Sequence, residues 1–277
     1  DADSGRIIDQ LPIDTGPSGL AVGNGVWATS FSGNSVWRLA PRTRTIRQTI
    51  PVGSGPSGIA VGNHAVWVSN KLDGTVSRID QKTNRVVDRI HVGTAPTAIA
   101  FGAGSVWVAS SADGTISRID PETDRVTKTI DLGAASPTDV VAGPRSVWVT
   151  SERSQAVLEI PVNGTTVRRP IRLSGPPTSA ARSGRFLWVT SPVDGTVSRI
   201  DLRGQEGPET KPLGGAPSSI AARNGQIWVA NESSNVLEQL DPRTVDVVRT
   251  IKLHSAPNGI VVVGNRIWVS TGASSSQ

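Results

Sequence analysis

Residues 95–130 read APTAIAFGAGSVWVASSADGTISRIDPETDRVTKTI, and variants of this phrase return along the whole chain. The phrase contains four short runs rich in β-branched residues, around Ile99, Trp107, Ile116 and Val126, and each run is bounded by Gly, Pro or Asp. Such runs predict β-strands, and no stretch of the sequence has a sustained helical period. The repeated unit is therefore predicted to contain four strands.

Tryptophan marks the repeat. Seven of the eight Trp residues recur at intervals of 40 or 41 residues, at positions 27, 67, 107, 148, 188, 228 and 268, and Trp37 is out of phase. A four-stranded unit of about 40 residues is typical of a propeller blade, whereas solenoid rungs and leucine-rich repeats are shorter. We therefore predict an all-β, seven-bladed β-propeller with four-stranded antiparallel blades. We expect each in-phase Trp ring to pack between adjacent blades.

The turns follow the same repeat. Three units carry Asp-Gly between the second and third predicted strands, at residues 73–74, 113–114 and 194–195. This dipeptide favours the positive φ angles of a tight hairpin turn.

The two ends of the chain share the last unit. Residues 1–9 match the turn and outer strand of another unit, at 120–128. We expect one domain over residues 1–277, with the last blade divided between residues 1–14 and 255–277 and the N-terminal strand closing the ring. In this register Gln277 aligns with Val76 and Asp1 with Asp80, so about three residues of a third strand have no counterpart. We therefore expect a piece of a longer protein.

Composition excludes several classes of function. The chain has no Cys, which excludes disulfides, thiol catalysis and Cys-ligated zinc, and its three His residues lie far apart, at 64, 91 and 254. The net charge is +5, and the pI of about 10.4 follows from a small basic excess in a chain without Cys or Tyr, so the charge alone is weak evidence for an anionic partner. No apolar run approaches the roughly 20 residues of a spanning helix.

The repeated phrase Pro-x-x-Ile-Ala, Val-Trp-Val and Ser-Arg-Ile-Asp-Pro resembles the YVTN repeat of YncE-like seven-bladed propellers. It is equally similar to the repeats of the streptogramin B (virginiamycin B) lyase family, and the resemblance covers all seven units. Such repeats build many unrelated binding surfaces and a few enzymes, so the fold does not by itself imply a function.

The lyase resemblance implies His after the Pro of the inner strand and Glu three places after Trp, which serve a magnesium-assisted elimination. Here the residues after that Pro are polar but carry no imidazole: Ser18, Ser57, Thr97, Thr138, Thr178, Ser218 and Asn258. The residues three places after Trp are Ser30, Asn70, Ser110, Ser151, Ser191, Asn231 and Thr271. The general base and the metal-orienting acid of the family are both absent from these positions, which favours a binding module over a lyase.

Residues that interrupt the repeat are the other candidates for ligand contact, because a requirement of the scaffold would recur in every blade. They are Phe31, Lys71, Asp139, Glu152, Arg153, Glu232 and His254. We call the seven Ser, Thr and Asn residues that follow the inner-strand Pro the polar ring. Together with this ring, the seven candidates predict a polar, partly charged entrance to the propeller that could bind a protein, a peptide or a cell-wall glycan. The alternative interpretation is that the hydroxyls satisfy strand ends and that the loops vary because they tolerate change.

Two further features are open to a structural or a functional interpretation. Trp37 replaces a Ser of the third strand and either contacts a partner or packs against a neighbouring blade. Arg38, Arg78, Arg118 and Arg199 share a position eleven places after Trp, and further Arg residues follow in the outer strands. We interpret this charge as protection of sheet edges, because nucleic-acid binding favours a concentrated basic stripe with stacking aromatics.

The sequence thus predicts a non-catalytic ligand-binding or protein-binding sensor propeller without cofactor or metal. We expect it to be monomeric and extracytoplasmic, without membrane insertion of its own, and part of a larger bacterial receptor or receptor-like kinase. Two alternatives stay open. One is a metal-dependent lyase or lactonase-like enzyme that uses Asp139 and Glu152, and the other is a DNA-binding YncE-like protein.

Overall fold

The computed structural model describes residues 1–11, 17–41, 43, 45–168, 170–204 and 207–271. Within these residues the regular structure consists of 26 β-strands. None of the described residues forms a helix that is long and apolar enough to span a membrane. The all-β prediction is confirmed.

The strands fall into four sets according to their distance from the central channel. The innermost strands are β1 (Pro17–Gly23), β5 (Pro56–Gly62), β9 (Pro96–Gly102), β13 (Pro137–Ala142), β17 (Ser179–Ser183), β21 (Pro217–Arg223) and β25 (Pro257–Val263). The second strands are β2 (Gly25–Ser30), β6 (Ala65–Asn70), β10 (Ser105–Ser110), β14 (Ser146–Ser151), β18 (Phe186–Ser191), β22 (Gln226–Asn231) and β26 (Arg266–Thr271). The third strands are β3 (Ser35–Ala40), β7 (Thr75–Asp80), β11 (Thr115–Asp120), β15 (Ala156–Pro161), β19 (Thr196–Asp201) and β23 (Val236–Leu240). The outer strands are β4 (Thr45–Pro51), β8 (Arg85–His91), β12 (Arg125–Asp131), β16 (Pro170–Arg172), β20 (Glu209–Pro212) and β24 (Val247–Lys252).

Six sheets are four-stranded antiparallel meanders, and we number them blades 1 to 6 in chain order. Strands β25 and β26 form a separate two-stranded sheet. The inner strand of each sheet contacts those of its two neighbours, and β25 contacts both β21 and β1. The sheets therefore close into a ring.

The prediction of seven four-stranded blades is wrong, because six blades have four strands and the last sheet has two. The predicted closure by an N-terminal strand is also wrong, since no strand lies within residues 1–11. The spacing of the Trp residues gives the number of sequence repeats, whereas a four-stranded blade also requires that each strand pair with the next. In the described chain that pairing stops at β26. The remainder of the predicted shared unit, residues 12–14 and 272–277, lies outside the described residues.

The in-phase Trp rings pack between neighbouring sheets, as predicted. Trp107 is fully buried and shares one apolar cluster with Val140 and Val147 of the next blade. Trp228 shares another cluster with Ile260 of the two-stranded sheet. Trp37 is also buried, in a cluster with Trp268, so it packs against a neighbouring sheet rather than projecting toward a partner.

The Asp-Gly turns have the predicted glycine geometry. Gly74, Gly114 and Gly195 have φ angles of 68°, 66° and 64°, a region that glycine enters without steric cost. The Asp side chain has a separate role, since Asp73 Oδ2 accepts a hydrogen bond from Ser54 N at 2.8 Å. The turn between the second and third strands is thereby tied to the loop that enters the same blade.

The Arg residues of the third strands connect neighbouring blades. Arg78 lies over the ring of Trp67 at 5.5 Å, and its guanidinium donates to Asp124 of the next blade at 2.6 Å. Arg38 lies 5.3 Å from Trp27 and donates to Asn84 Oδ1 at 2.7 Å. Stacking on Trp and charge-assisted hydrogen bonding explain this position better than protection of a sheet edge.

Candidate functional site

The loops at one end of the blades come together on one face of the ring. The turns between second and third strands contact the loops that connect successive blades, through backbone hydrogen bonds such as Lys71 N to Gly55 O at 2.9 Å and Glu152 N to Ser136 O at 3.1 Å. We call the surface formed by these turns and loops the loop face. It surrounds one mouth of the central channel.

The polar ring predicted to bind a ligand lies where the inner strands begin, and most of its hydroxyls are already hydrogen-bonded. Five of them donate to backbone carbonyls of the next sheet: Ser18 to Pro56 O (2.8 Å), Ser57 to Thr97 O (3.0 Å), Thr97 to Pro137 O (3.4 Å), Thr138 to Pro177 O (3.0 Å) and Ser218 to Pro257 O (3.3 Å). Carbonyls at the inner edge of a sheet lack a ladder partner, so these donations satisfy both groups. This is the geometry of the alternative interpretation, in which small hydroxyl residues satisfy strand ends.

Two members of the ring differ from the rest. Within the described part of the chain, the buried Thr178 Oγ1 has no hydrogen-bond partner. Asn258 is exposed on the two-stranded sheet. Among the described residues, the ring of donors is therefore interrupted between blades 5 and 6 and again between the two-stranded sheet and blade 1.

The interruption predicts opposite results for one substitution at two equivalent sites. Thr138→Val removes a hydroxyl that bonds Pro177 O at 3.0 Å and Thr150 Oγ1 at 2.8 Å, and we expect it to lower the free energy of unfolding by about 1–2 kcal/mol. Thr178→Val removes a buried, unpartnered hydroxyl, so it should be neutral or stabilising. Urea unfolding of the two variants measures the difference. Equal losses of stability would contradict this account of the ring.

Asp139 is the carboxylate of the channel wall, where the other inner strands have Gly, Ala or Ser. Its Oδ2 accepts hydrogen bonds from Ala180 N at 2.9 Å and from Ser179 Oγ at 3.2 Å, and its Oδ1 accepts from Val140 N at 2.8 Å. Burial raises the pKa of Asp139 to about 6, against the opposing effect of these hydrogen bonds. The side chain joins blade 4 to blade 5.

The two carboxylates of the enzyme alternative occupy different surroundings. Asp139 is in the channel wall, whereas Glu152 is exposed on the turn that follows β14, and its recorded bonds are the backbone ones to Ser136 and Gln155. Across the described ranges, no three His, Asp or Glu side chains form a group that could hold a metal ion.

The remaining sequence candidates are exposed on the loop face but belong to separate sheets. Arg153 is on the turn of blade 4, Glu232 on that of blade 6, and His254 on the loop that leads to β25. Phe31 and Lys71, in contrast, belong to the adjacent turns of blades 1 and 2.

An exposed apolar patch lies between these two turns. A Cβ added at Gly55 would lie 2.6 Å from Leu72 Cγ and 3.1 Å from Phe31 Cε2, so both side chains flank this glycine. Phe31 is 37% exposed and Leu72 is 67% exposed. We call Phe31 and Leu72 with Gly55 the apolar patch. Beside it, residues 71–74 and 91–95 line an open groove of ≈ 530 Å³.

Two informative residues are missing from the sequence candidates. Leu72 occupies the tip of its turn, where blade 3 has Ala112, and a large apolar residue at an exposed tip is a usable signal. Glu238 replaces the Ser of a third strand and is only 8% exposed. Burial raises its pKa, and Asn231 Nδ2 donates to its Oε2 at 3.3 Å. The departure from Ser77 and Ser117 could have identified it.

No family model matches this chain, and no curated protein matches it. Among solved structures, it is similar to the hydrazine synthase of Kuenenia stuttgartiensis, with 17% identity and a TM-score of 0.81 over 96% of this chain and 98% of that chain. It is similar to virginiamycin B lyase from Staphylococcus aureus, with 19% identity and a TM-score of 0.82 over 94% and 92%. It is also similar to the WD40 repeats of RRP9, with 12% identity and a TM-score of 0.85 over 95% and 89%.

At these identities the similarities show the fold alone. They confirm the likeness to streptogramin B lyase at the level of the propeller scaffold. That scaffold serves a lyase in one neighbour and WD40 repeats in another.

Proposed function

We propose that this chain is a non-catalytic binding propeller whose loop face binds an extended segment of protein or peptide. The observation that carries the proposal is the apolar patch beside an open groove. Large exposed apolar side chains next to a concavity are typical of interaction sites, and aromatic residues are enriched at the centres of interfaces.

The chemistry of the surface favours a particular kind of peptide. Phe31 and Leu72 form one exposed apolar surface over Gly55, whose lack of a side chain lets both approach its backbone closely. The groove beyond is lined by residues 71–74 and 91–95, among them the polar residues Lys71, Asp73 and His91. An apolar anchor followed by polar residues complements this arrangement.

Two further considerations support binding over catalysis. Most hydroxyls of the inner ring are engaged between blades, which removes them from the set of groups available to a reacting substrate. The similarity to the WD40 repeats of RRP9 supports a scaffold with the capacity for protein interaction. From the sequence resemblance alone, we also propose an extracytoplasmic monomer within a larger receptor, with a cell-wall glycan as another ligand class.

Removal of the apolar patch tests the proposal. A panel of fluorescent peptides, each with one Phe or Leu anchor and a following polar run, is titrated against the protein, and binding is measured by anisotropy. The double variant Phe31→Ser/Leu72→Ser should weaken the best binder about tenfold or more, because it removes both large apolar side chains of the patch. Val193→Ser is the matched control, since Val193 is 76% exposed on the equivalent turn of blade 5 and lies outside the patch.

Three outcomes would contradict the proposal. The first is equal affinity of the wild type and the double variant. The second is magnesium-dependent opening of virginiamycin B that is lost in Asp139→Ala, which would support the enzyme alternative. The third is salt-sensitive binding of single-stranded DNA with no binding of peptides, which would support the DNA alternative.

A further inference from the structure

The hairpins that join first and second strands surround the other mouth of the central channel, at the end of the ring opposite the loop face. Each sheet has one such hairpin, and all of them lie within the described residues. We call these segments the inner hairpins, and they are residues 22–25, 61–65, 101–105, 142–146, 182–186, 222–226 and 262–266.

The inner hairpins contain basic residues and no carboxylate. Their basic residues are His64, Arg145, Arg182, Arg185, Arg223 and Arg266. The turns between second and third strands, on the loop face, contain mostly acidic residues instead: Asp73, Asp113, Glu152, Asp194 and Glu232, against Lys71 and Arg153. The two ends of the ring therefore differ in the sign of charge on these turns, and four of the five arginines belong to blades 4, 5 and 6.

Arg182 lies at the junction of blades 4 and 5. Its counterpart in blade 4, Ala142, lies against Gly102 of blade 3, where an added Cβ would be 2.7 Å from the Ala142 Cβ. In the same register Arg182 lies against Gly143 of blade 4, and its guanidinium is 6.0 Å from the centroid of the Trp148 ring. The side chain is exposed.

Arg145 brings a second guanidinium to the same junction. It follows Gly143 by two residues in the hairpin of blade 4, and its side chain is exposed. Within the described ranges, neither the Arg145 nor the Arg182 guanidinium has a hydrogen bond or an ion pair with another protein group. Each therefore keeps its N–H donors available for an external acceptor.

The other charged groups around this junction are already paired. Arg185 forms an ion pair with Asp201 at 2.9 Å. Glu159 Oε1 accepts a hydrogen bond from Ser146 Oγ at 2.6 Å and lies 3.7 Å from Arg168. These pairs balance their own charges, so the two unpaired guanidinium groups supply the positive charge of the junction.

We propose that the junction of the inner hairpins of blades 4 and 5 binds a compact phosphate-bearing polyanion, whose oxygens accept hydrogen bonds from Arg145 and Arg182. A guanidinium matches the geometry of a phosphate and can bind it with two parallel hydrogen bonds. Since the two groups are on adjacent blades, an anion with several charges can bridge them. Turns with one sign of charge also raise the local concentration of such an anion.

Two observations separate this proposal from others. A nucleic-acid strand favours aromatic rings on which its bases stack, whereas the Trp148 ring is only 7% exposed and is covered by Arg182. A compact anion needs the guanidinium groups alone. The junction is at the end of the ring opposite the apolar patch, so the proposal is independent of the proposed function.

Calorimetric titration with inorganic tripolyphosphate tests the proposal. The double variant Arg145→Gln/Arg182→Gln should weaken binding about tenfold or more, because it removes both unpaired guanidinium groups. Arg145→Gln alone should weaken it about threefold, and its exposed position on a turn leaves the packing of the blades intact. The matched control is Arg85→Gln/Arg125→Gln, which removes two exposed arginines from the start of β8 and β12 at the same end of the ring and should leave the affinity within about twofold.

The indole N–H resonance of Trp148, assigned with Trp148→Phe, reports where the anion binds. Binding should shift this resonance, because the Arg182 guanidinium lies over the ring. The resonance of Trp67 should stay in place, because Arg78, which covers that ring, is already paired with Asp124.

The remaining outcomes would overturn the proposal. Equal loss of affinity in the double variant and in its control would show general attraction of an adventitious ion only. Absence of tripolyphosphate binding would show that the junction is no anion site. Binding of single-stranded DNA that strengthens with length, exceeds that of tripolyphosphate and is lost in the double variant would assign the junction to nucleic acid instead.

Discussion

Trp107→Ala is expected to lower the free energy of unfolding by about 3–5 kcal/mol, as measured by urea denaturation. The ring is 0% exposed, and it fills the interface between blades 3 and 4. Its loss leaves a cavity between two sheets that cannot approach each other, because the ring of blades fixes their separation. The Arg118 guanidinium, 5.5 Å from the ring, loses its stacking surface at the same time.

Two other Trp variants make the result interpretable. Trp107→Phe retains most of the apolar surface and should cost less than the Ala variant. Trp268→Ala should also cost less than Trp107→Ala, because Trp268 is only half-buried. A loss below about 1 kcal/mol for Trp107→Ala would mean that the Trp rings do not hold the blades together.

Asp139→Ala is expected to remove a pH dependence of stability between about pH 4 and pH 6. The pKa of Asp139 rises from 3.8 in the unfolded chain to about 6 in the fold, so in this window the folded state binds the extra proton. Stability contributed by this group therefore falls as pH rises, and the loss is complete above pH 6. A difference of about two pH units corresponds to about 3 kcal/mol. Relative to wild type, Asp139→Ala should thus gain stability on going from pH 4 to pH 7.

The measurement is urea unfolding of both proteins across this range, with the difference taken at each pH so that all other titrating groups cancel. Asp80 provides a control of opposite sign. Hydrogen bonds from Thr83 and Lys82 lower its pKa, so its contribution to stability is lost as pH falls through the folded-state pKa. Parallel profiles of wild type and Asp139→Ala would contradict the burial of this carboxylate.

The sequence predicted the packing of the sheets correctly where one large side chain can be buried in only one place. A Trp in every unit cannot remain in water, and its place between sheets follows from the alternation of the strand around it. The number of blades did not follow from the same pattern, since residues 1–11 match an outer strand in sequence, yet within the described residues they pair with no third strand. Strand pairing depends on the neighbour as much as on the strand itself.

The sequence predicted which residues lie at the candidate site but not which groups they bind. Ser and Thr in the inner ring were evident, yet their acceptors are backbone carbonyls about 40 residues away, which have no signature in the side-chain sequence. Asp139 was evident as a departure from the repeat, while its partners Ser179 and Ala180 depend on how blade 5 meets blade 4. Leu72 became significant only when the fold placed it beside Phe31.

The hydrogen bonds that the repeated Ser, Thr and Arg side chains make between blades run in one sense around the ring, whereas Ser179 and Ala180 of blade 5 donate in the opposite sense to Asp139 of blade 4. Ser18 and Arg38 of blade 1 donate to blade 2, and Arg78 of blade 2 donates to blade 3. In these repeated contacts, each unit donates hydrogen bonds from one side and accepts them on the other. Tandem duplication of one 40-residue unit would create a new junction with the same donors and acceptors. Deletion of one unit would bring its two neighbours together with the same donors and acceptors. The repeated contacts thus favour gain or loss of the ring's length in whole units of about 40 residues.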